Sequence, residues 1–143
     1  VLVDFQSGID LTPADVKSEY EGRLDEVPNI FALMKPVDEA VESFVELSSL
    51  FDAYILSTAP WDNPSAWSDK LEWVKRQLGA PAHKRLILTH NKQLNRGDYL
   101  IDDRPNNGAE EFGKVPGQEW IQFGHGNHKN WPEVVAYLRA RSG

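Results

Sequence analysis

Hydroxyl, ammonium and carboxylate side chains follow three short apolar runs of this chain. Ser57 and Thr58 follow the first run, Lys92 comes shortly after the second, and Asp102 and Asp103 end the third. Adjacent carboxylates repel each other unless a cation compensates their charge, and Mg²⁺ prefers carboxylate oxygens as ligands. A lysine and a hydroxyl beside such an ion suit a phosphate group, because they donate hydrogen bonds to its oxygens and bind its charge. These residue types predict Mg²⁺-dependent phosphoryl transfer.

Each of these motifs, taken alone, is also typical of ordinary structure. Residues 57–60, Ser-Thr-Ala-Pro, are typical of a turn, and residues 102–105, Asp-Asp-Arg-Pro, of a turn with a local ion pair. Lys92 lies in a polar loop, where lysine side chains are usually solvated. The functional interpretation is favoured by their order along the chain, because each motif follows a β-prone run.

Apolar runs and helical segments alternate along the chain, which predicts an α/β fold. The β-prone runs occupy residues 53–56, 86–89, 99–102 and 120–123, and helical periodicity covers residues 37–48, 63–78 and 130–138. Several runs are continuously apolar, as a parallel sheet covered on both faces requires. We therefore expect a doubly wound sheet, with the polar residues above at the carboxyl ends of its strands.

Two asparagines are expected to cap helices. Asn63 precedes Pro64, a residue suited to the first helical turn, and Asn130 precedes the last periodic segment. The buried face of the helix after Asn63 is expected to be the stripe Trp67, Leu71, Val74 and Leu78.

The composition narrows the class of function. With 143 residues the chain has the size of one domain, 1–143, and its lack of cysteine excludes thiol catalysis, thiolate metal sites and disulfides. The 15 Lys and Arg against 22 Asp and Glu give a net charge of −7, which argues against a nucleic-acid clamp. No apolar run approaches the roughly 20 residues that cross a bilayer, and no signal peptide is recognisable, so we expect a cytoplasmic protein without a membrane partner. The spacing of the four histidines does not indicate a metal site.

Three segments together carry a family resemblance. They read Tyr-Ile-Leu-Ser-Thr-Ala-Pro at 54–60, Leu-Ile-Leu-Thr-His-Asn-Lys at 86–92 and Leu-Ile-Asp-Asp-Arg-Pro at 100–105. In this order they resemble the haloacid dehalogenase superfamily, and within it most closely the 5'(3')-deoxyribonucleotidase family. The resemblance implies a Mg²⁺-dependent phosphatase that acts through a phospho-aspartate. It also implies a Rossmann-like three-layer sandwich with a parallel sheet and a small helical cap inserted after the first strand.

The resemblance assigns catalytic and metal-binding roles to the polar residues at the strand ends. Thr58 corresponds to the hydroxyl of the second motif and Lys92 to the lysine of the third. Asp102 corresponds to the metal ligand of the fourth motif, where it would bind Mg²⁺, and Asp103 is its catalytic neighbour.

The resemblance also implies where the substrate binds. The substrate would be a small phosphorylated molecule of the nucleoside monophosphate type, and Phe5, Ala59 and His90 would contact it. Residues 11–35 would form the cap, which is shorter than the cap expected of a nucleotidase. The reaction type is therefore better specified than the substrate.

The first motif of the family, Asp-x-Asp-Gly-Val, leaves two registers open. In one, Asp4 is the nucleophile and Gln6 replaces the acid/base aspartate, which would impair the enzyme. In the other, residues 1–5 correspond to the family segment that follows the motif, and both catalytic aspartates precede Val1. We favour the second register, because Val-Leu-x-Asp-Phe matches that segment, and in this register the chain as written would be inactive.

Two further functional classes compete with the phosphatase. One is a catalytically inactive relative that binds nucleotide or phosphate without turnover. The other is an α/β domain that binds a partner through exposed tryptophans such as Trp61. Mg²⁺-dependent hydrolysis of deoxynucleoside monophosphates would distinguish the phosphatase from both.

Overall fold

A five-stranded parallel sheet forms the centre of the fold. The computed structural model describes residues 2–3 and 24–143. Its strands are β1 (Leu2–Val3), β2 (Tyr54–Ser57), β3 (Leu86–Leu88), β4 (Tyr99–Asp102) and β5 (Glu119–Gln122), in the order β3-β2-β1-β4-β5. Strands β2 and β3 therefore lie on one side of β1, and β4 and β5 lie on the other. In such sheets, ligands bind outside the carboxyl ends of the strands, where the strand order reverses.

The described residues contain four α-helices, of which the first three lie between strands and the fourth follows β5. They are α1 (Ala40–Leu50), α2 (Pro64–Gln77), α3 (Ala109–Phe112) and α4 (Trp131–Arg139). The predicted α/β class is confirmed, while α3 was not predicted because four residues carry no readable period. In the described ranges no helix has the length and apolar character needed to cross a membrane.

The strands bury side chains on both faces. Ile55, Ile101 and Ile121 share one cluster with buried residues of α1, α2 and α4. Leu56 and Leu100 point the other way, into a second cluster with α3. This double burial explains why the strand segments are apolar without alternation.

The prediction for the buried stripe of α2 was partly wrong. Val74 and Leu78 are buried as expected, but Leu71 is 41% exposed, while Trp73 is only 2% exposed. The Trp73 indole Nε1–H donates to the carbonyl of Met34 at 3.0 Å, so its polar end is satisfied inside the fold. The hydrogen-bond partner of Trp73 lies 39 residues away along the chain, so the periodicity of α2 alone does not predict that Trp73 is buried.

The predicted cap of α4 is confirmed. The Asn130 side-chain oxygen accepts a hydrogen bond from the backbone N–H of Glu133 at 3.0 Å. Farther along α4, the Tyr137 hydroxyl reaches the Glu119 carboxylate of β5, at 2.8 Å from Oε1 and 2.6 Å from Oε2. Burial, and then the hydrogen bond to Glu119, raise the pKa of Tyr137 above its ordinary value.

The bond between Tyr137 and Glu119 predicts a pH-dependent stability. Tyr137→Phe should lower the free energy of unfolding by about 1 kcal/mol at pH 7, the usual contribution of one hydrogen bond. Because the folded-state pKa is raised, this contribution is complete below pH ~10 and is lost as the pH rises through the folded-state pKa. Urea denaturation of both proteins at pH 7 and pH 11 should show the stability difference shrinking. If the stability difference between the two proteins stays constant or grows at pH 11, the protonated Tyr137 hydroxyl does not stabilise the fold through Glu119.

Candidate active site

A buried ion pair joins two strand ends at the carboxyl edge of the sheet. Lys92 Nζ lies 2.5 Å from Asp102 Oδ2, and the two residues are 2% and 1% exposed. Asp102 ends β4, whereas Lys92 follows β3, and β2 and β1 lie between those strands. Three strand spacings separate β3 from β4, roughly 14 Å. The loop that carries Lys92 therefore crosses the carboxyl edge of the central strands.

The backbone fixes Lys92 in this position. Residues Lys92–Leu94 form a 3₁₀ turn, and the Lys92 N–H donates to the carbonyl of Asn107, beyond β4, at 2.8 Å. Composition alone would place this lysine in solvent, but the structure buries it. A buried ammonium is strongly disfavoured without an anionic partner, so Lys92 and Asp102 depend on each other.

The neighbouring Asp103 has an unusual environment. Its Oδ2 lies 3.8 Å from Arg104 Nε, but its Oδ1 is buried and has no hydrogen-bond partner among the described residues. In contrast, Asp102 uses both oxygens, Oδ2 toward Lys92 and Oδ1 as acceptor of the Arg104 backbone N–H at 3.2 Å. An orphaned buried carboxylate oxygen is costly unless a cation or donor occupies the adjacent space.

These two carboxylates fit a hard divalent cation. Mg²⁺ takes oxygen ligands and is commonly bound by one or two carboxylates together with substrate phosphate and water. Within the described part of the chain, no group of three or more His, Cys, Asp or Glu side chains is placed to hold a metal ion. Asp102 and Asp103 are thus the described residues that could contribute to such a site.

The two hydroxyls after β2 have different partners. Thr58 Oγ1 donates to the carbonyl of Thr89 at 2.7 Å, so its proton ties the loop after β2 to the loop after β3. The buried Ser57 Oγ instead accepts from Lys70 Nζ at 3.0 Å, which leaves the Ser57 proton for another acceptor. Lys70 Nζ also donates to the Thr58 carbonyl at 2.5 Å. The sequence identified both hydroxyls but assigned no role to Lys70, which lies within α2 in a segment, residues 70–74, that also shares the family resemblance.

The buried Asn63 anchors an earlier segment of the chain. The predicted position is confirmed, because Asn63 is the N-cap residue of α2 and Pro64 begins the helix, but the Asn63 side chain makes no cap hydrogen bond to α2. Its amide instead donates to the carbonyls of Asp25 and Val27 at 2.8 and 3.0 Å. The segment 24–33 is thereby attached to the loop after β2, and the Phe31 ring centroid lies 4.9 Å from Lys70 Nζ.

The three residues predicted to contact the substrate differ in what the structure shows of them. The His90 ring lies close to two tryptophans, with its centroid 6.2 Å from that of Trp61 and 6.1 Å from that of Trp67. Ala59 is fully buried in this structure, and its contact with substrate remains a prediction. Phe5 lies outside the described residues, as do Asp4 and residues 11–23 of the predicted cap.

A family model matches nearly the whole chain. The model described as "5' nucleotidase, deoxy (Pyrimidine), cytosolic type C protein" covers residues 10–140.

Individual relatives carry related names. A Vibrio phage KVP40 protein named "Putative 5'(3')-deoxyribonucleotidase" is 56% identical over 142 residues, which are 99% of this chain and 81% of the phage protein. A protein of the same name from Bordetella pertussis is 44% identical over 79 residues, 54% of this chain and 42% of its own length. One from Staphylococcus aureus strain Mu50 is 33% identical over 90 residues, 61% of this chain and 49% of its own length.

The ion pair predicts a large stability effect. Lys92→Met keeps the apolar stem but removes the charge that balances Asp102, so the free energy of unfolding should fall by about 3 kcal/mol or more. Lys114→Met is the matched control, because Lys114 is exposed and lies 3.9 Å from Glu110; it should change stability by less than ~0.5 kcal/mol. Urea denaturation at pH 7 measures both. Equal, small effects would show that the pair does not hold the site together.

Proposed function

We propose that this chain, which belongs to the 5' nucleotidase, deoxy (pyrimidine), cytosolic type C family, is a Mg²⁺-dependent phosphatase of nucleoside monophosphates. The observation that carries this proposal is the buried Lys92–Asp102 pair at the carboxyl edge of the sheet. A protein rarely buries a lysine unless its position matters, because burial disfavours the charged ammonium. Here the ammonium lies where ligands of α/β sheets bind.

The described residues could bind phosphate in two ways. Lys92 would supply positive charge toward the transferring group, in addition to its bond with Asp102. Ser57 retains its hydroxyl proton for a phosphate oxygen, whereas the proton of Thr58 is already donated to Thr89. Ser57 therefore shares the hydroxyl role that the resemblance gives to Thr58, and Lys70 orients both residues.

The proposed reaction has two steps. An aspartate carboxylate attacks phosphorus, the ester P–O bond breaks, and the leaving nucleoside oxygen takes a proton from a second acid. The carboxylate that this acid leaves then removes a proton from water as the water oxygen attacks phosphorus; the P–O bond to the aspartate breaks, which frees inorganic phosphate and restores both residues. The two positions considered for the nucleophile, Asp4 and a residue before Val1, both lie outside the described residues.

We assign Mg²⁺ chiefly to Asp103 and partly to Asp102. Asp103 Oδ1 is buried without a described partner, whereas both oxygens of Asp102 are engaged. The resemblance instead implies Asp102 as the ligand and Asp103 as its neighbour, and the two assignments differ in the mutation that weakens metal binding. When bound, the ion would offset the negative charge of the phosphate.

The family also supports a finer description of the fold. We propose that the sheet and its helices form the Rossmann-like three-layer sandwich of the haloacid dehalogenase superfamily, as a single domain. The packing of helices against both sheet faces supports this. We further propose that residues 11–35 are the cap, and the attachment of segment 24–33 to the loop after β2 supports that position.

The family and its relatives favour the phosphatase over the inactive binding relative, because their names describe nucleotidases. The decisive assay measures phosphate release from deoxynucleoside monophosphates with and without Mg²⁺. It uses the 143-residue chain and the same chain extended before Val1 by apolar residues and Asp-x-Asp-Gly. We expect Mg²⁺-dependent release by the extended chain. Release by the unextended chain, lost in Asp4→Asn, would make Asp4 the nucleophile, and no release by either would contradict the proposed function.

The metal assignment predicts different effects of two neighbouring substitutions. Asp103→Asn should weaken Mg²⁺ binding, measured by titration calorimetry, by at least about tenfold, the loss that even an outer metal partner causes. Its unfolding midpoint in urea should change little, because Asp103 is not paired with Lys92. Asp102→Asn should mainly reduce stability, because Lys92 loses its anionic partner. If Asp102→Asn removes Mg²⁺ binding while Asp103→Asn leaves it intact, Asp102 is the ligand, as the resemblance implies.

A further inference from the structure

A groove lies beside strand β3, at one edge of the described sheet. It has a volume of about 860 Å³ and lies between α2, the 3₁₀ turn Ala80–Ala82 and β3. Trp67 and Leu71 line its helical wall, and Leu86 and Leu88 line its strand wall. Two members of the apolar stripe predicted for α2 therefore face this groove, where Leu71 remains 41% exposed.

Strand β3 has a free edge among the described strands, because β2 is its single neighbour there. The Arg85 carbonyl and the Thr89 N–H both bond to β2, at 2.8 and 2.9 Å. Backbone groups of successive residues in a strand point to alternate sides, so the N–H and C=O groups of Leu86 and Leu88 point away from β2. A row of such groups is a template on which another extended chain can pair.

One end of the groove is basic, on a chain whose net charge is −7. Lys75 in the last turn of α2 and Lys84, two residues before β3 begins, both line it, together with His83. Lys75 lies 3.9 Å from Glu72, whereas the exposed Lys84 side chain has no partner within the described ranges. This end of the groove therefore suits an acidic ligand.

The backbone of Lys84 supports a role for its charge. Its φ of 58° lies in the left-handed region, which glycine and asparagine adopt more easily than lysine does. Residues held in such conformations are frequent where a chain binds a ligand. A lysine at this position is thus locally unfavourable, and an anionic partner would explain its presence.

We propose that this groove binds an extended segment of a partner protein, which adds as a strand to β3 and carries acidic residues at one end. The segment would pair with the outward backbone groups of Leu86 and Leu88, place apolar side chains against Leu71, and bring its carboxylates to Lys84. Neither Lys92 nor Asp102 lines the groove, so this proposal does not depend on the proposed phosphatase activity.

Other occupants match the groove less well. A second copy that paired through its own β3 would present Leu-Ile-Leu preceded by Lys84 and Arg85, which supplies apolar side chains but no carboxylate. A nucleic acid would meet the cations but not the apolar walls, and the net charge of −7 would repel it. An acidic polypeptide satisfies the backbone groups, the apolar walls and the cations together.

NMR titration of the ¹⁵N-labelled 143-residue chain tests the proposal with defined peptides. The probes are two acetylated, amidated hexapeptides, Glu-Glu-Thr-Val-Thr-Val and its reverse, which place their acids near Lys84 in parallel or antiparallel pairing. One of them should shift the amide resonances of Leu86 and Leu88 saturably and slow their hydrogen exchange. Trp120 and Gln122 are the internal control, because they occupy the outward positions of β5 at the opposite edge and should not respond.

A charge reversal tests the basic end of the groove. Lys84→Glu should weaken binding of the responding peptide about tenfold, because an attraction becomes a repulsion, while Lys114→Glu should leave its Kd within about twofold. Lys114 is the matched control, since it is an exposed lysine that does not line the groove. N-methylation of alternate peptide amides, in the register that faces β3, should abolish binding because it removes the donors of the strand pairing.

Four results would overturn the proposal. One is the absence of any response at Leu86 and Leu88 to either peptide, and another is equal binding when lysine replaces glutamate in the peptide. A response of these amides to a deoxythymidine oligonucleotide alone would make the groove a nucleic-acid site. Dimerisation of the chain, measured by sedimentation and broken by Lys84→Glu, would assign the groove to a second copy.

Discussion

The site depends on one buried charge pair. Lys92 follows β3 and Asp102 ends β4, and strands β2 and β1 lie between them. Neither charge would be tolerated at 1–2% exposure without the other. Their contact requires the loop after β3 to lie across the carboxyl edge of the sheet. That requirement places the polar residues of the strand ends close to one another.

A second set of contacts holds the loop after β2. Thr58 bonds to the loop after β3, Lys70 binds the Ser57 hydroxyl and the Thr58 carbonyl, and Asn63 holds segment 24–33. Most of these bonds end on backbone carbonyls, so they fix the course of the loops directly. The polar side chains are therefore positioned by bonded loops mounted on a rigid parallel sheet, an arrangement that suits a reaction in which placement and electrostatics provide most of the catalysis.

Features that depend on local rules were predictable from the sequence. The strands were found because double burial makes them continuously apolar, and the Asn130 cap because its partner, Glu133, lies three residues away. Asn63 carries the same local signal and occupies the N-cap position of α2, but its side chain makes no cap bond, and its amide donates instead to carbonyls 36 and 38 residues distant. Long-range partners likewise determine the burial of Lys92, the position of Lys70 and the environment of Asp103. Their residue types were visible in the sequence, but their pairings depend on the fold.

The central claim is that the ammonium paired with Asp102 faces the substrate phosphate. NMR of protein labelled with ¹⁵N at lysine side chains, titrated with inorganic phosphate in the presence of Mg²⁺, tests it directly. The account predicts a saturable change in the Lys92 Nζ resonance and none at the exposed Lys114, which serves as the internal reference. A Lys92 resonance that stays unchanged at saturating phosphate would show that the buried pair is purely structural, and would contradict the account.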